Sequence, residues 1–177
     1  MVVIEKNILP KNCILAIRSL LSDLDYELGR SQNVKKIFER EQFEGVSRNT
    51  LDPQNIHKGN EVKYARLNDF AFTISQIICE RRNIKIKYMT RVMWNLYRPG
   101  DKGTFHQDGL YGENKMSILY SLNSSDGHLL VENEKFIDVE NEAKIFPSYL
   151  AHMGVGPTKA TYRLNCNIVF DFITFMN

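Results

Sequence analysis

Three cysteines in 177 residues are too few and too scattered to form a disulfide framework. Cys13, Cys79 and Cys166 have no C-x-x-C spacing, which also argues against a thiolate metal site and leaves them as small core residues in a reducing compartment. Long apolar runs are missing as well: none approaches the roughly 20 residues that a spanning helix needs. The opening "MVVIEKNILP" meets charge at Glu5, so its apolar run is shorter than that of a secretory signal. A cytoplasmic location and no membrane partner are expected. Repeats, low-complexity tracts and linkers are absent, so residues 1–177 are expected to form one domain. Neither sign of charge dominates, at 23 Lys+Arg against 21 Asp+Glu and a formal net charge of +2. The distribution is uneven: residues 1–100 carry 17 basic and 11 acidic side chains, residues 101–177 carry 6 and 10. A basic first half can attract an acidic partner, although a solvated mixed-charge surface is the simpler account.

The elements change character midway. "VVIEKN" predicts a short strand. "LPKNCILAIRSLLSDL" places Ile14, Leu15, Ile17, Leu20, Leu21 and Leu24 at the spacing of an amphipathic helix behind a proline start. "VKKIFERE" predicts a second, weaker helix, and polar "SRNTLDPQNIHKGN" from Ser47 to Asn60 predicts a loop. "RLNDFAFTISQIICERR" returns to helical periodicity through Leu67, Phe70, Ile74, Ile77 and Ile78. After Asn83 the runs "IKIKYMTRVMWNLY", "KMSILYSLN", "HLLVENEKFIDVE", "AKIFP" and "TYRLNCNIVFDFITF" are rich in β-branched and aromatic residues and separated by turn signals. Helices followed by short strands predict an α+β fold: residues 1–83 supply a strand and helical support, and residues 84–177 form an antiparallel sandwich or barrel with the helices packed on one sheet.

Histidine is scarce too, with four in the chain. In "NLYRPGDKGTFHQD" one of them, His106, stands two residues before Asp108, and residues two apart on a strand point to the same side. His57 lies in the polar loop and His128 at a hairpin, where solvated roles are expected. His152 follows "IFPSYLA" and precedes a turn and a strand. Two histidines and a carboxylate with open positions is the arrangement of non-heme Fe(II) oxygenases. An isolated H-x-D is common by chance, and Arg163 adds the missing weight. It begins "RLNCNIVF", in which Arg163, Asn165 and Asn167 alternate onto one face of a very apolar strand. Such a polar row is costly to bury without a partner, and an arginine fork suits a carboxylate.

With these four residues in order, the chain resembles the Fe(II)/2-oxoglutarate-dependent dioxygenases. Within them it is similar to the prolyl-4-hydroxylase-like branch, whose N-terminal strand and helices it shares, and in wording and length to small oxygenases encoded by tailed phages. The resemblance covers residues 84–173 closely and implies a double-stranded β-helix (jelly-roll, cupin-like) core. It implies that His106, Asp108 and His152 bind Fe(II) as the catalytic centre and that Arg163 holds the distal carboxylate of 2-oxoglutarate. Tyr97 matches a tyrosine that bonds the same carboxylate. Ser117 and Ser121 would line the cosubstrate pocket, Asn95 would reach the metal-proximal end, and Asn165 belongs to the same cosubstrate-binding face. Ascorbate would serve as reductant. The implied reaction hydroxylates a peptidyl substrate, prolyl residues included, or an amino-acid-like small substrate, releasing succinate and CO2. For a virus-encoded chain the site of action would be the host cytoplasm.

Many members of that branch have lysine where this chain has Arg163. The opening stretch is also similar to nucleic-acid alkylation-repair demethylases, which share N-x-Y…H-x-D and an Arg-x-Asn strand. Those enzymes have a second arginine six residues on, where this chain has Val169. A nucleobase-oxidising enzyme therefore stands as the alternative, and a non-catalytic binding domain of the same fold as a third reading. Residues 47–60 and 109–114 are expected to form the substrate rim, with Tyr111 as a contact.

Overall fold

Pro10 starts the first helix by accepting backbone bonds from Cys13 (3.0 Å) and Ile14 (3.4 Å). A computed structural model describes residues 1–22, 27–28, 46–51 and 61–173. It shows β1 (Val3–Lys6), α1 (Lys11–Ser22), β2 (Glu27–Leu28), β3 (Val46–Leu51) and α2 (Glu61–Arg81) ahead of the strand-rich half. The end of α2 is set by Asn83 in the left-handed region (φ 52°). Ile84 N–H donates to Cys79 O (2.8 Å) and Asn83 N–H to Glu80 O (3.2 Å), the bond pair that closes a helix through a left-handed residue. Ile84 then packs on the core and the chain enters β4 (Lys85–Tyr97) directly.

The remaining strands are β5 (Lys115–Ser121), β6 (Ser125–Val131), β7 (Glu134–Asp138), β8 (Glu142–Pro147), β9 (His152–Val155) and β10 (Arg163–Ile173). Among the described residues the larger sheet runs β1-β8-β5-β10-β4-β3-β2 and the smaller β7-β6-β9, with antiparallel pairing throughout. Two isolated bridges, Lys102↔Val155 and His106↔His152, lay the segment after β4 along β9. This is a double-stranded β-helix with its helices on one sheet.

The period-two alternation of the strands separates two environments. Val92 and Trp94 of β4, Ile118 and Tyr120 of β5, Ala143 and Ile145 of β8, and Leu164, Cys166, Ile168 and Phe170 of β10 form one core. They pack with Ile14, Ile17 and Leu21 of α1 and Leu67, Ala71, Ile74 and Ile78 of α2. A smaller cluster of Leu119, Leu129, Val131, Phe146 and Leu150 lies between the sheets. The three cysteines are free, and Cys79 and Cys166 are buried in the helical core. No described helix is long and apolar enough to cross a membrane.

Two expectations need correction. Residues from Ser47 onward are not all loop, because β3 pairs with β4 from Val46↔Leu96 to Leu51↔Val92. Strand pairing uses backbone groups, so a neighbouring strand can recruit a polar, turn-prone stretch. The helix expected from Arg66 begins at Glu61. The helix expected at "VKKIFERE", residues 52–60 of the expected loop and His57 lie outside the described residues.

Candidate functional site

The bridge between His106 and His152 is a two-way backbone pair, N–H to O at 3.0 and 2.9 Å. Directly opposed residues share a face, and the two imidazole centroids stand 4.4 Å apart. Each ring is held in the same way: Nδ1 of His106 bonds Thr104 O, and Nδ1 of His152 bonds Leu150 O, both at 2.9 Å. A carbonyl only accepts, so Nδ1 carries the proton and Nε2 presents a lone pair. Asp108 is set beside them by its backbone N–H, which donates to Ser148 O (2.8 Å). Its carboxylate lies 3.6 Å from His106 Nε2 and 3.4 Å from His152 Nε2. The three ligand-type atoms fall within 4.8 Å of one another.

Three acceptors facing one another repel unless a cation lies between them. His152 Nε2 is buried without a hydrogen-bond partner. The donor set of two neutral imidazole nitrogens and one carboxylate oxygen fits a first-row divalent metal such as Fe(II) and leaves coordination positions open. Supporting contacts fix Asp108. Arg91 Nη2 donates to Oδ1 (2.5 Å), and Ser117 Oγ donates to Oδ2 (3.0 Å) while bonded to Ser148 Oγ (2.9 Å). Burial alone would raise this carboxyl's pKa, but the Arg91 guanidinium bonded to it holds it well below the usual range. The His106 pKa is lowered, chiefly by desolvation. His106 is the accessible member of the three, with its side chain 43 % exposed, and Phe146 packs edge-on against His152 at 4.9 Å.

The second half of the site is the inner face of β10. Across the ladders, Arg163 opposes Tyr97, Asn165 opposes both Asn95 and Ser121, Asn167 opposes Met93 and Leu119, and Val169 opposes Arg91 and Ser117. Residues in register across a sheet share a face, so the expected cosubstrate residues form one polar surface. Arg163 is fully buried, with its guanidinium 4.9 Å from the Tyr97 ring centroid. Its Nε donates to Asp138 Oδ2 (2.7 Å), whereas Nη1 and Nη2 have no partner. Two glycines give it room. A Cβ on Gly154 would sit 2.7 Å from Nη1 and 2.5 Å from the Tyr97 hydroxyl, and one on Gly127 would sit 2.7 Å from Arg163 Cδ. Gly154 is two residues, about 7 Å of strand, beyond His152. Asn95 Nδ2 donates to Asn165 Oδ1 (3.0 Å), leaving Asn165 Nδ2 unpaired, and Asn167 Oδ1 is unpaired as well. Ser121 accepts a bond from Lys144 Nζ (3.0 Å).

The acid that pairs with Arg163 is Asp138. Asp171 and Glu142 lie near Lys115 (3.9 Å) and Lys6 (3.1 Å). His128 is half-buried within β6 rather than at a solvated hairpin tip, and it is not among the clustered ligand atoms. Arg91, Ser148, Asp138 and Lys144 were not anticipated. The available signal was a single charged residue inside an apolar strand, in "TRVMW" and "AKIFP". In the turn after Asp108, Leu110 (70 %) and Tyr111 (86 %) are exposed, and Tyr111 meets Tyr149 edge-on at 5.0 Å.

No family profile matches the chain. No curated protein matches it in sequence. Its fold does match solved structures. One is an oxidoreductase of the 2OG-Fe(II) oxygenase family from Burkholderia pseudomallei, at TM-score 0.71 and 10 % identity over 96 % of this chain and 84 % of that one. A prolyl-4-hydroxylase from Pseudomonas putida superimposes at TM-score 0.61 and 14 % identity, covering 98 % of this chain and 93 % of that one. A prolyl hydroxylase from Trichoplax adhaerens, in complex with a hypoxia inducible factor oxygen degradation domain peptide fragment, does so at 0.63 and 18 %, covering 97 % and 83 %. At such identities the likeness establishes the fold, which is the one these oxygenases use.

Proposed function

We propose that the chain is an Fe(II)- and 2-oxoglutarate-dependent oxygenase. The observation that carries this reading is the pairing, inside one barrel, of three converging acceptor atoms with a buried, half-unpartnered guanidinium. His106, Asp108 and His152 would hold the iron, with Arg91 and Ser117 orienting the carboxylate. Bound iron with 2-oxoglutarate supplies the oxidising power, using dioxygen and releasing succinate and CO2. The protein's own contribution is to bind, orient and keep the site dry. Arg163 would take the distal carboxylate through Nη1 and Nη2, with Tyr97 stacked on the guanidinium. Asn165, Asn95, Ser117 and Ser121 would line the path between that carboxylate and the metal. Ascorbate would sustain the reduced iron.

The substrate class that fits best is a peptidyl or amino-acid-like molecule. Support comes from the Trichoplax neighbour, solved with a peptide, and from the exposed apolar rim at Leu110 and Tyr111 beside the candidate metal ligands. Nucleobase oxidation is the second reading, and Arg91 favours it. The guanidinium absent at Val169 is supplied by Val169's partner across the ladder, where it reaches Asp108. The test incubates Fe(II)-loaded protein and 2-oxoglutarate anaerobically with separate peptide, nucleotide and nucleic-acid fractions, then admits oxygen. The expected result is a product carrying one added oxygen atom, with an equal amount of succinate, from the peptide fraction. An oxidised nucleotide would select the second reading. Failure of the metal-loaded protein to bind 2-oxoglutarate would overturn both.

A further inference from the structure

Lys144 and Asp138 stand outside the ligand set proposed above, yet both side chains are fully buried beside Arg163. Asp138 closes β7 in the smaller sheet, whereas Lys144 and Arg163 come from β8 and β10 of the larger one. The carboxylate is shared: Oδ2 accepts from Arg163 Nε at 2.7 Å and Oδ1 from Lys144 Nζ at 3.3 Å. Two cations and one anion in a place with no solvent leave one surplus positive charge. Burying an unbalanced charge is strongly unfavourable unless a counter-charge arrives. The surplus has a direction, because the free donors are Nη1 and Nη2 of Arg163. An Arg163–Asp138 pair alone would be neutral, so Lys144 is what makes the pocket cationic.

We propose that Lys144 and Asp138 set the charge the pocket accepts, and that Lys144 is a specificity residue for a ligand tail carrying one negative charge. The inference rests on the cosubstrate reading and deepens it. A single carboxylate tail brings the cluster to neutrality. A tail amide would leave the surplus in place, and a doubly charged phosphonate would exceed it. A purely structural triad tying the two sheets together makes no such distinction between tails.

The test is a charge cycle on the full chain loaded with Mn(II), with 2-oxoglutarate and its 5-amide titrated by calorimetry and melting followed in parallel. Wild type should bind the acid and reject the amide. Lys144→Met, with no surplus charge, should weaken acid binding on the order of tenfold or more and narrow the preference for acid over amide. Asp138→Asn/Lys144→Met restores the surplus of one and should recover most of the lost affinity. If Lys144→Met does not fold, Lys144→Gln, which keeps a donor for Ser121, takes its place in the cycle. Wild-type affinity in the single variant, or no recovery in the double, would overturn the proposal. Failure of the cosubstrate reading would look different: the wild-type protein itself would not bind 2-oxoglutarate.

Discussion

The two faces of β10 are built to opposite rules. Leu164, Cys166, Ile168 and Phe170 pack against the helices, and the hydroxyls of Tyr120 and Ser75 in that layer are bonded to Asn141 and Ala71 at 2.8 and 2.9 Å. On the inner face, Arg163 Nη1 and Nη2, Asn165 Nδ2, Asn167 Oδ1 and, across the barrel, His152 Nε2 are buried without partners. Folded proteins rarely leave so many polar atoms unpaired in one place. One face of the strand stabilises the fold, and the other leaves hydrogen-bonding capacity unused.

Substitutions should separate the faces. The largest effect is expected from His152→Ala or Asp108→Ala, which remove one of three ligands and should abolish metal binding in a Mn(II) titration while the helical core stays folded. Ile168→Ala, one residue away from that polar row but on the helical face, should do the reverse. It should cost about 2–5 kcal/mol in denaturant unfolding and leave the metal affinity of the folded protein unchanged. Arg91→Met and Ser117→Ala remove the groups that orient Asp108, and each should weaken metal binding by about 10- to 100-fold. Equal affinities in wild type and both variants would show that the carboxylate needs no such support.

The smallest effect concerns pH. Desolvation, then the charges of Lys135 and Arg163, lowers the pKa of His128. A histidine whose folded pKa lies below its unfolded value binds a proton more readily when the chain is unfolded. Stability should therefore fall as pH drops through the ordinary histidine range and below it. His128→Gln should flatten that slope, as read from melting temperatures across the window, and an unchanged slope would assign it elsewhere.

The parts of the site legible in the sequence were those written as local or ordered text. H-x-D places two groups on one side by strand period, and R-L-N-C-N alternates faces within five residues. His152 was found because it sits between recognisable strands. The parts that escaped depend on pairings between distant strands. Asp138 meets Arg163 and Lys144 only once the two sheets are stacked, and Arg91 reaches Asp108 because β4 lies beside β10. β3 escaped for a related reason, since its place comes from the edge of β4 rather than from its own residues. The helices were legible through their apolar period, although the start of α2 was not.

The central claim is that the inner face of β10 anchors 2-oxoglutarate independently of the metal ligands. It is tested most directly by titrating 2-oxoglutarate under argon into Fe(II)-loaded wild type and Arg163→Met, following the metal-to-ligand charge-transfer absorption. The account predicts a saturable band in wild type and, in the variant, an affinity on the order of ten- to a hundredfold weaker, with iron affinity preserved. A wild-type dissociation constant in folded Arg163→Met would contradict it.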